Sequence, residues 1–408
     1  MGIFCGASKS IITPKNKDKL VIYDDLFIHS LIVKKGKIGF LFLTFDLLGV
    51  DSEFVSKVKK EIFETYGIEG SNVLINAVHV HSSPEGFPQH MNNGILTDHL
   101  YRNKEYELFL IQKVLKIIQA SFNSLEKVRL YVSKGVSKNL YGNRICKEDL
   151  YDNDLYVLRF VTKLGRTKAI LINLACHPTV INDQSCITAD LIGYMRDYLS
   201  IQLDGCFISV LNGAAGDIST RFNRKERSIK EAKRIGEKLA QQIIYILKKR
   251  SEEVFIDEIK RYDIFFSFQR RDDLKDMLEK KITDISTFIP ISNKNESQEL
   301  KEYLRLLERI KKPSISPYFR TIKMVCSVIN FGDVQLIAIP GEIFSKTGML
   351  LKSINKNKLT FIIGYAEDYQ GYILPKDKHK DDIYENFVSL FPKEAEGILI
   401  KKLSDYLF

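Results

Sequence analysis

Two histidines, His79 and His81, stand on either side of Val80 where an apolar run, Val73 to Val78, gives way to polar residues. In an extended segment, residues two apart project from the same face, so both imidazoles can reach one point in space. That geometry suits a metal ion. A third histidine, His177, lies between Cys176 and Pro178 at the end of another apolar run, Ala169 to Ala175. Imidazole nitrogens with one or two oxygen ligands, and a position left for water, are how catalytic zinc is usually held, so zinc is the expected ion. The remaining histidines, His29, His90, His99 and His379, lie in polar contexts and read as surface residues.

The same placement recurs along the chain. Ile38 to Phe45 ends in Asp46, and Phe207 to Leu211 leads into Asn212-Gly213-Ala214-Ala215-Gly216-Asp217-Ile218-Ser219. Val334 to Ile339 leads into Pro340-Gly341-Glu342, and Leu359 to Ile363 into Gly364-Tyr365 and on to Tyr369 and Tyr372. In α/β sheets, ligands bind beyond the carboxyl ends of the strands, where all these groups fall. Glu342 also reads as a carboxylate at the positive end of a helix. The turn before Asp217 and Ser219 reads either as a tight connection or as a cradle of backbone amides for an anion.

The elements that must position these groups are legible from periodicity. Apolar runs of strand length alternate with amphipathic stretches of helical period, notably Ser52 to Tyr66, Glu105 to Phe122 and Lys225 to Lys249. An α/β fold follows, with a central mixed or mostly parallel sheet flanked by helices; the nearly continuous apolar runs imply strands buried on both faces. From Phe266 to Pro313 the chain turns polar and strongly charged, with helical segments at Arg270 to Ile285 and Ser297 to Lys311. A helical hairpin inserted at 266–313, within a single catalytic domain spanning 1–408, is the expected organisation.

Composition narrows the function. With 45% hydrophobic and 27% charged residues, the chain has the balance of a globular protein with a large core. The net charge of +10 comes from basic residues scattered among Ile, Asn, Asp and Glu, so no nucleic-acid partner is expected, although a peripheral contact with anionic membranes is compatible with it. Six cysteines show no CxxC pair and read as reduced. The start, MGIFCGASKSIITP, lacks a charged region followed by a long apolar one, and a cytoplasmic location is expected.

Taken together and in order, Ala77-Val78-His79-Val80-His81-Ser82-Ser83-Pro84, Asn143-Arg144, Ala175-Cys176-His177-Pro178, Gly216-Asp217-Ile218-Ser219, Pro340-Gly341-Glu342 and the pair Tyr369-x-x-Tyr372 resemble the catalytic domain of the neutral/alkaline ceramidases. The resemblance covers nearly the whole chain. It implies one zinc ion per chain, bound by His79, His177, Glu342 and Tyr372. It also implies that His81, Arg144 and Ser219 face the substrate amide beside Tyr372, with Tyr384 nearby.

The chain departs from the family motifs at Asn143-Arg144-Ile145-Cys146 and at Gly216-Asp217-Ile218-Ser219-Thr220-Arg221. The implied activity is therefore hydrolysis of an N-acyl amide, carried by a small molecule or a lipid, with acyl chain and amine left open. Ester or lactam hydrolysis suits the same Lewis acid. A zinc-containing protein that binds an acylated ligand without cutting it is the alternative from outside enzymology.

Overall fold

The computed structural model describes residues 2–14, 20–83, 103–181, 186–249, 251–288, 300, 303–304, 307–308 and 321–407. Its architecture follows from the apolar runs. Eight strands form the path of the larger sheet, in the order Phe207–Asn212, Thr167–Leu174, Asp154–Thr162, Glu126–Val136, Ile3–Ile11, Phe27–Lys35, Ile38–Phe45 and Val73–Ala77. A ninth, Glu252–Val254, pairs with Glu126–Val136 off that path. Four more build a smaller sheet, in the order Ile259–Gln269, Thr321–Phe331, Val334–Ala338 and Leu359–Ile363.

Both sheets are mixed, with most pairings antiparallel. The parallel pairings are informative: Ile38–Phe45 beside Val73–Ala77, Thr167–Leu174 beside Phe207–Asn212, and Val334–Ala338 beside Leu359–Ile363. These are the six runs whose carboxyl ends carry the polar groups. Parallel neighbours end on the same side of a sheet, so each pair delivers two such groups together.

Alternate residues of the larger sheet face different layers, as the two-residue strand period requires. One face, with Leu41, Leu43, Val73, Ile75, Ile170 and Ile172, packs against the helices Ser52–Tyr66, Lys104–Asn123, Asp190–Gln202 and Ile229–Leu247. The other, with Phe40, Phe42, Leu74, Phe160 and Leu171, packs against Phe331, Leu336, Phe361 and Ile363 of the smaller sheet. Burying each such side chain contributes roughly 1.5–3 kcal/mol. Edge-to-face contacts such as Phe42 on Phe331, with ring centroids 5.7 Å apart, fix how the sheets sit. The apolar runs are thus buried on both faces, but a second sheet rather than a helical layer covers one of them.

The helices obey local signals. Asp51 caps Ser52–Tyr66 by accepting the Phe54 N–H at 2.7 Å, and Gly67 ends it in the left-handed region at φ 66°. The helix buries Phe54, Val55, Val58 and Ile62 as one stripe.

The charged region divides differently from its sequence. Phe266 and Phe268 are buried members of the edge strand Ile259–Gln269, and the first helix runs Leu274–Phe288. Most of Ser297 to Lys311 lies outside the described residues. Leu300, Tyr303 and Leu307 are buried, the last two in the cluster that holds Leu274 and Leu278. Among the described residues no helix is long and apolar enough to cross a membrane. All six cysteines are free and five are buried.

Candidate metal centre

The strand carrying the His-x-His pair ends at Ala77, and the backbone turns before the first histidine. His79 adopts φ 70°, a conformation that costs a non-glycine residue energy and persists only where its surroundings enforce it. Here the N–H groups of His79 and Val80 both donate to the Leu47 carbonyl, at 3.0 and 3.1 Å. His79 and His81 therefore meet through a turn, not through the shared strand face expected from their spacing. Their Nε2 atoms are 3.2 Å apart.

Each buried imidazole has its tautomer set by the backbone. His79 Nδ1–H donates to Leu48 O at 2.7 Å, and His177 Nδ1–H donates to Ala215 O at 2.6 Å. Both Nε2 atoms consequently present lone pairs to the interior. The His79 ring also stacks on Tyr365, with centroids 4.1 Å apart.

Glu342 supplies the charge. A two-residue parallel ladder, Glu342–Ile343 with Tyr372–Ile373, holds its backbone. Its Oε2 lies 2.9 Å from His177 Nε2 and 3.4 Å from His79 Nε2, and it accepts the Tyr365 hydroxyl at 3.4 Å. Oε1 accepts the Tyr369 hydroxyl. With Nδ1 carrying the proton, His177 Nε2 faces Oε2 acceptor to acceptor, and it is fully buried without a hydrogen-bond partner. Lone pairs converging in a water-poor interior call for a cation between them. His79, His81 and His177 offer ring nitrogens within 4.8 Å of one another, as a shared metal requires.

Electrostatics point the same way. Burial depresses His79 to about 3 and holds His81 well below the ordinary histidine range, so both imidazoles are neutral at physiological pH. Burial opposes ionisation of Glu342, but attraction to His79 and His177 in their protonated forms, together with the Tyr369 hydroxyl, outweighs it and keeps the carboxyl below its usual range; once the imidazoles are neutral, the carboxylate keeps its charge with the phenol as its donor. Neutral imidazoles around one carboxylate form a donor set that fits zinc.

The remaining candidates divide into those beside this cluster and those elsewhere. Arg144 donates through Nε to Glu385 at 2.8 Å and through Nη2 to Tyr372 Oη at 2.9 Å. Tyr372, expected as a metal ligand, thus turns its hydroxyl to Arg144. Tyr369 takes the place against Glu342. Ser219 is buried, pairs by its backbone with His177, and accepts the Arg221 N–H at 3.1 Å. Tyr384 is partly exposed, its ring 6.3 Å from that of Tyr372.

Asp217 is structural: it accepts the Ser345 N–H, the Ser345 hydroxyl and the Asn143 amide, tying the loop before Ser219 to the smaller sheet's side. Asp46 is also structural, forming a buried two-pronged pair with Arg196 at 2.7 and 2.5 Å. His29, expected at the surface, is buried between the rings of Phe27 and Phe207. His379 is half-buried, and His90 and His99 lie outside the described residues. From the sequence Tyr365 stood among the strand-end groups with no role of its own, and Glu385 was missed as a member of the site. Tyr365 follows a strand end and carried a signal; Glu385, distant in sequence from Arg144, carried none.

No protein-family model matches the chain. Among solved structures it resembles neutral ceramidase from Pseudomonas aeruginosa, with a TM-score of 0.80 at 17% identity, over 99% of this chain and 74% of that one. A ceramidase complexed with C2 matches with a TM-score of 0.78 at 15% identity, over the same shares. The chain has the neutral ceramidase fold.

Proposed function

We propose that this chain is a zinc-dependent hydrolase of N-acyl amides. The observation that carries the reading is the convergence of His79 Nε2, His177 Nε2 and the Glu342 carboxylate in a buried cluster, with both Nδ1 protons committed to backbone carbonyls. His79, His177 and Glu342 would hold the ion. Tyr369, against Glu342, is better supported as the phenolic ligand than Tyr372. Bound there, zinc supplies a Lewis acid that polarises an amide carbonyl and lowers the pKa of water.

The chain's own groups account for the rest. Arg144, clamped by Glu385, and Tyr372, whose oxygen accepts from Arg144, present N–H and O–H donors to the oxygen that gains charge as the carbonyl becomes tetrahedral. Donors fixed in advance cost no reorganisation during reaction. His81, half-buried beside His79, is placed to carry a proton towards the departing amine. Ser219, paired with His177, supplies a hydroxyl at the same wall.

The test is metal content by mass spectrometry of the wild type and a His177→Ala variant, alongside hydrolysis of short and long N-acyl amides. One zinc per chain, lost in the variant together with amide cleavage, is the expected result. A metal-bearing wild type that binds acylated amides and cuts none would instead mean a binding protein.

A further inference from the structure

One short segment delivers both phenols to Glu342, and its backbone is strained at two points. Tyr365 and Glu367 adopt φ 55° and 67°, a left-handed conformation that costs a non-glycine residue energy and persists only where its surroundings enforce it. The enforcing contacts centre on Glu367, which lies between Tyr365 and Tyr369.

Val73–Ala77 ends the path of the larger sheet, and the segment lies along its outer edge. Ala77 N–H donates to Tyr365 O at 3.1 Å, and Glu367 N–H donates to Ile75 O at 2.8 Å. The Glu367 carboxylate completes the contact, accepting the Ile75 N–H through Oε1 at 2.9 Å. One residue thus engages both backbone groups of Ile75, on the strand that leads to His79.

The other carboxylate oxygen joins elements from different layers. Oε2 accepts from Lys59 Nζ, on the helix Ser52–Tyr66, and from Arg261 Nη2 at 3.1 Å, on the outer strand of the smaller sheet. Arg261 also donates through Nη1 to Val73 O at 2.8 Å and through Nε to Asp263 Oδ1 at 2.7 Å. The side chains of Glu367 and Arg261 are 9% and 6% exposed and that of Lys59 is 17% exposed, so removing one leaves another charge unpaired in the interior. What such a network adds over apolar packing is direction, because its hydrogen bonds accept one arrangement of the partners. Next in the chain, Asp368 accepts the N–H groups of Ser52 and Tyr369 at 2.9 and 2.8 Å, a second tie to the same helix.

We infer that Glu367 is a positioning residue for the metal centre: with Lys59 and Arg261 it fixes the segment 365–369 so that the Tyr369 hydroxyl stays on the Glu342 carboxylate. It acts through Tyr369 and takes no chemical step itself. The inference rests on the metal-dependent hydrolase reading and deepens it.

Glu367→Gln removes the charge and keeps the shape; Lys59→Met unpairs the same carboxylate from the helix side. Zinc affinity by chelator competition would be measured for both, for Tyr369→Phe and for the double variant Glu367→Gln/Tyr369→Phe, with Asp46→Ala as a buried ion pair broken elsewhere. The expected result is a loss of about 10–100-fold in Glu367→Gln, a loss in the same direction in Lys59→Met, and little further loss from Glu367→Gln when Tyr369 is already Phe. Asp46→Ala should unfold more readily yet hold zinc as the wild type does. Unchanged affinity in Glu367→Gln, or an equal loss with and without the Tyr369 hydroxyl, would overturn the inference.

Hydrogen exchange of the proteins as purified, followed by mass spectrometry, supplies a reading that needs no metal. Peptides covering 73–79 and 364–372 should exchange about tenfold faster in Glu367→Gln and Lys59→Met, the scale of one charge-assisted hydrogen bond, while Asp154–Thr162 keeps its wild-type rate. Unchanged exchange at 364–372 would also overturn the inference. If the wild type holds no zinc, the hydrolase reading falls, and faster exchange at 364–372 still upholds Glu367 as the anchor of Tyr369.

Discussion

The two sheets contribute unlike things to the candidate centre. The larger sheet provides His79 and His177, neutral imidazoles locked by the carbonyls of Leu48 and Ala215. The smaller sheet and the loops after it provide Glu342, Tyr365 and Tyr369, the charge and the phenols around it. Neither half alone gathers the whole donor set. Their junction is close-packed at Gly216, whose N–H donates to Ile343 O at 2.9 Å and where a Cβ would lie 2.9 Å from that oxygen. The centre is therefore a product of sheet-on-sheet packing, and its geometry should respond to changes at the seam more than to equally buried changes elsewhere.

The sharpest way to break this division is to remove the charged half. Glu342→Gln should keep the fold and lose tightly held metal, with kcat/KM on N-acyl amides falling by about 10³ or more, since a metal contributes several kcal/mol to transition-state stabilisation. Full activity in that variant would separate the carboxylate from the chemistry. Next in size is Arg144→Met, which removes a preorganised donor; turnover should drop about 10²–10³-fold while zinc content holds. Loss of zinc there would instead place Arg144 among the groups that maintain the metal.

A buried pair at another strand end sharpens the contrast. Asp46→Ala leaves Arg196 buried without its partner, which should cost about 3–5 kcal/mol in denaturant unfolding and leave the zinc stoichiometry of folded protein unchanged. Gly216→Ala presses on the backbone of Ile343 and Glu342 and should weaken metal affinity about 10–100-fold, read by competition with a chelator. An unchanged affinity would show that the seam tolerates movement.

The smallest effect concerns Asp190, on the helical side of the larger sheet. Burial raises its carboxyl to about 6, above its value of 3.8 in an unstructured chain. Between those values the folded state binds more protons than the unfolded one, so this group makes stability fall as pH rises from about 4 to about 6, by about 1 kcal/mol per unit. Asp190→Asn should remove that slope in denaturant melts across the interval. A slope identical to wild type would mean that the carboxyl titrates normally.

Much of the centre was legible before folding is considered. His79, His177 and Glu342 each follow an apolar run, and a run buried on both faces must end where polar groups can again be tolerated. What was not legible depends on partners far along the chain. Arg144 and Glu385 are 241 residues apart, and no local pattern links them. His29 sits in a stretch of mixed polarity, and only the pairing of its strand puts it between Phe27 and Phe207. Nor does a local pattern foretell that the ladder sets Tyr372 beside Glu342 by its backbone while the Tyr369 hydroxyl meets the carboxylate.

The sequence by itself determined the α/β class, the six buried runs and the donors at their carboxyl ends, because periodicity and burial are local properties that side-chain hydrophobicity imposes directly. Only the tertiary structure decided that a second sheet covers one face of the first, that three parallel pairs bring the donors to one seam, and that His79 turns through a left-handed conformation to meet them. Those outcomes depend on which strands pair and which faces pack. Such choices are made by contacts between residues hundreds of positions apart, and a one-dimensional pattern does not encode them.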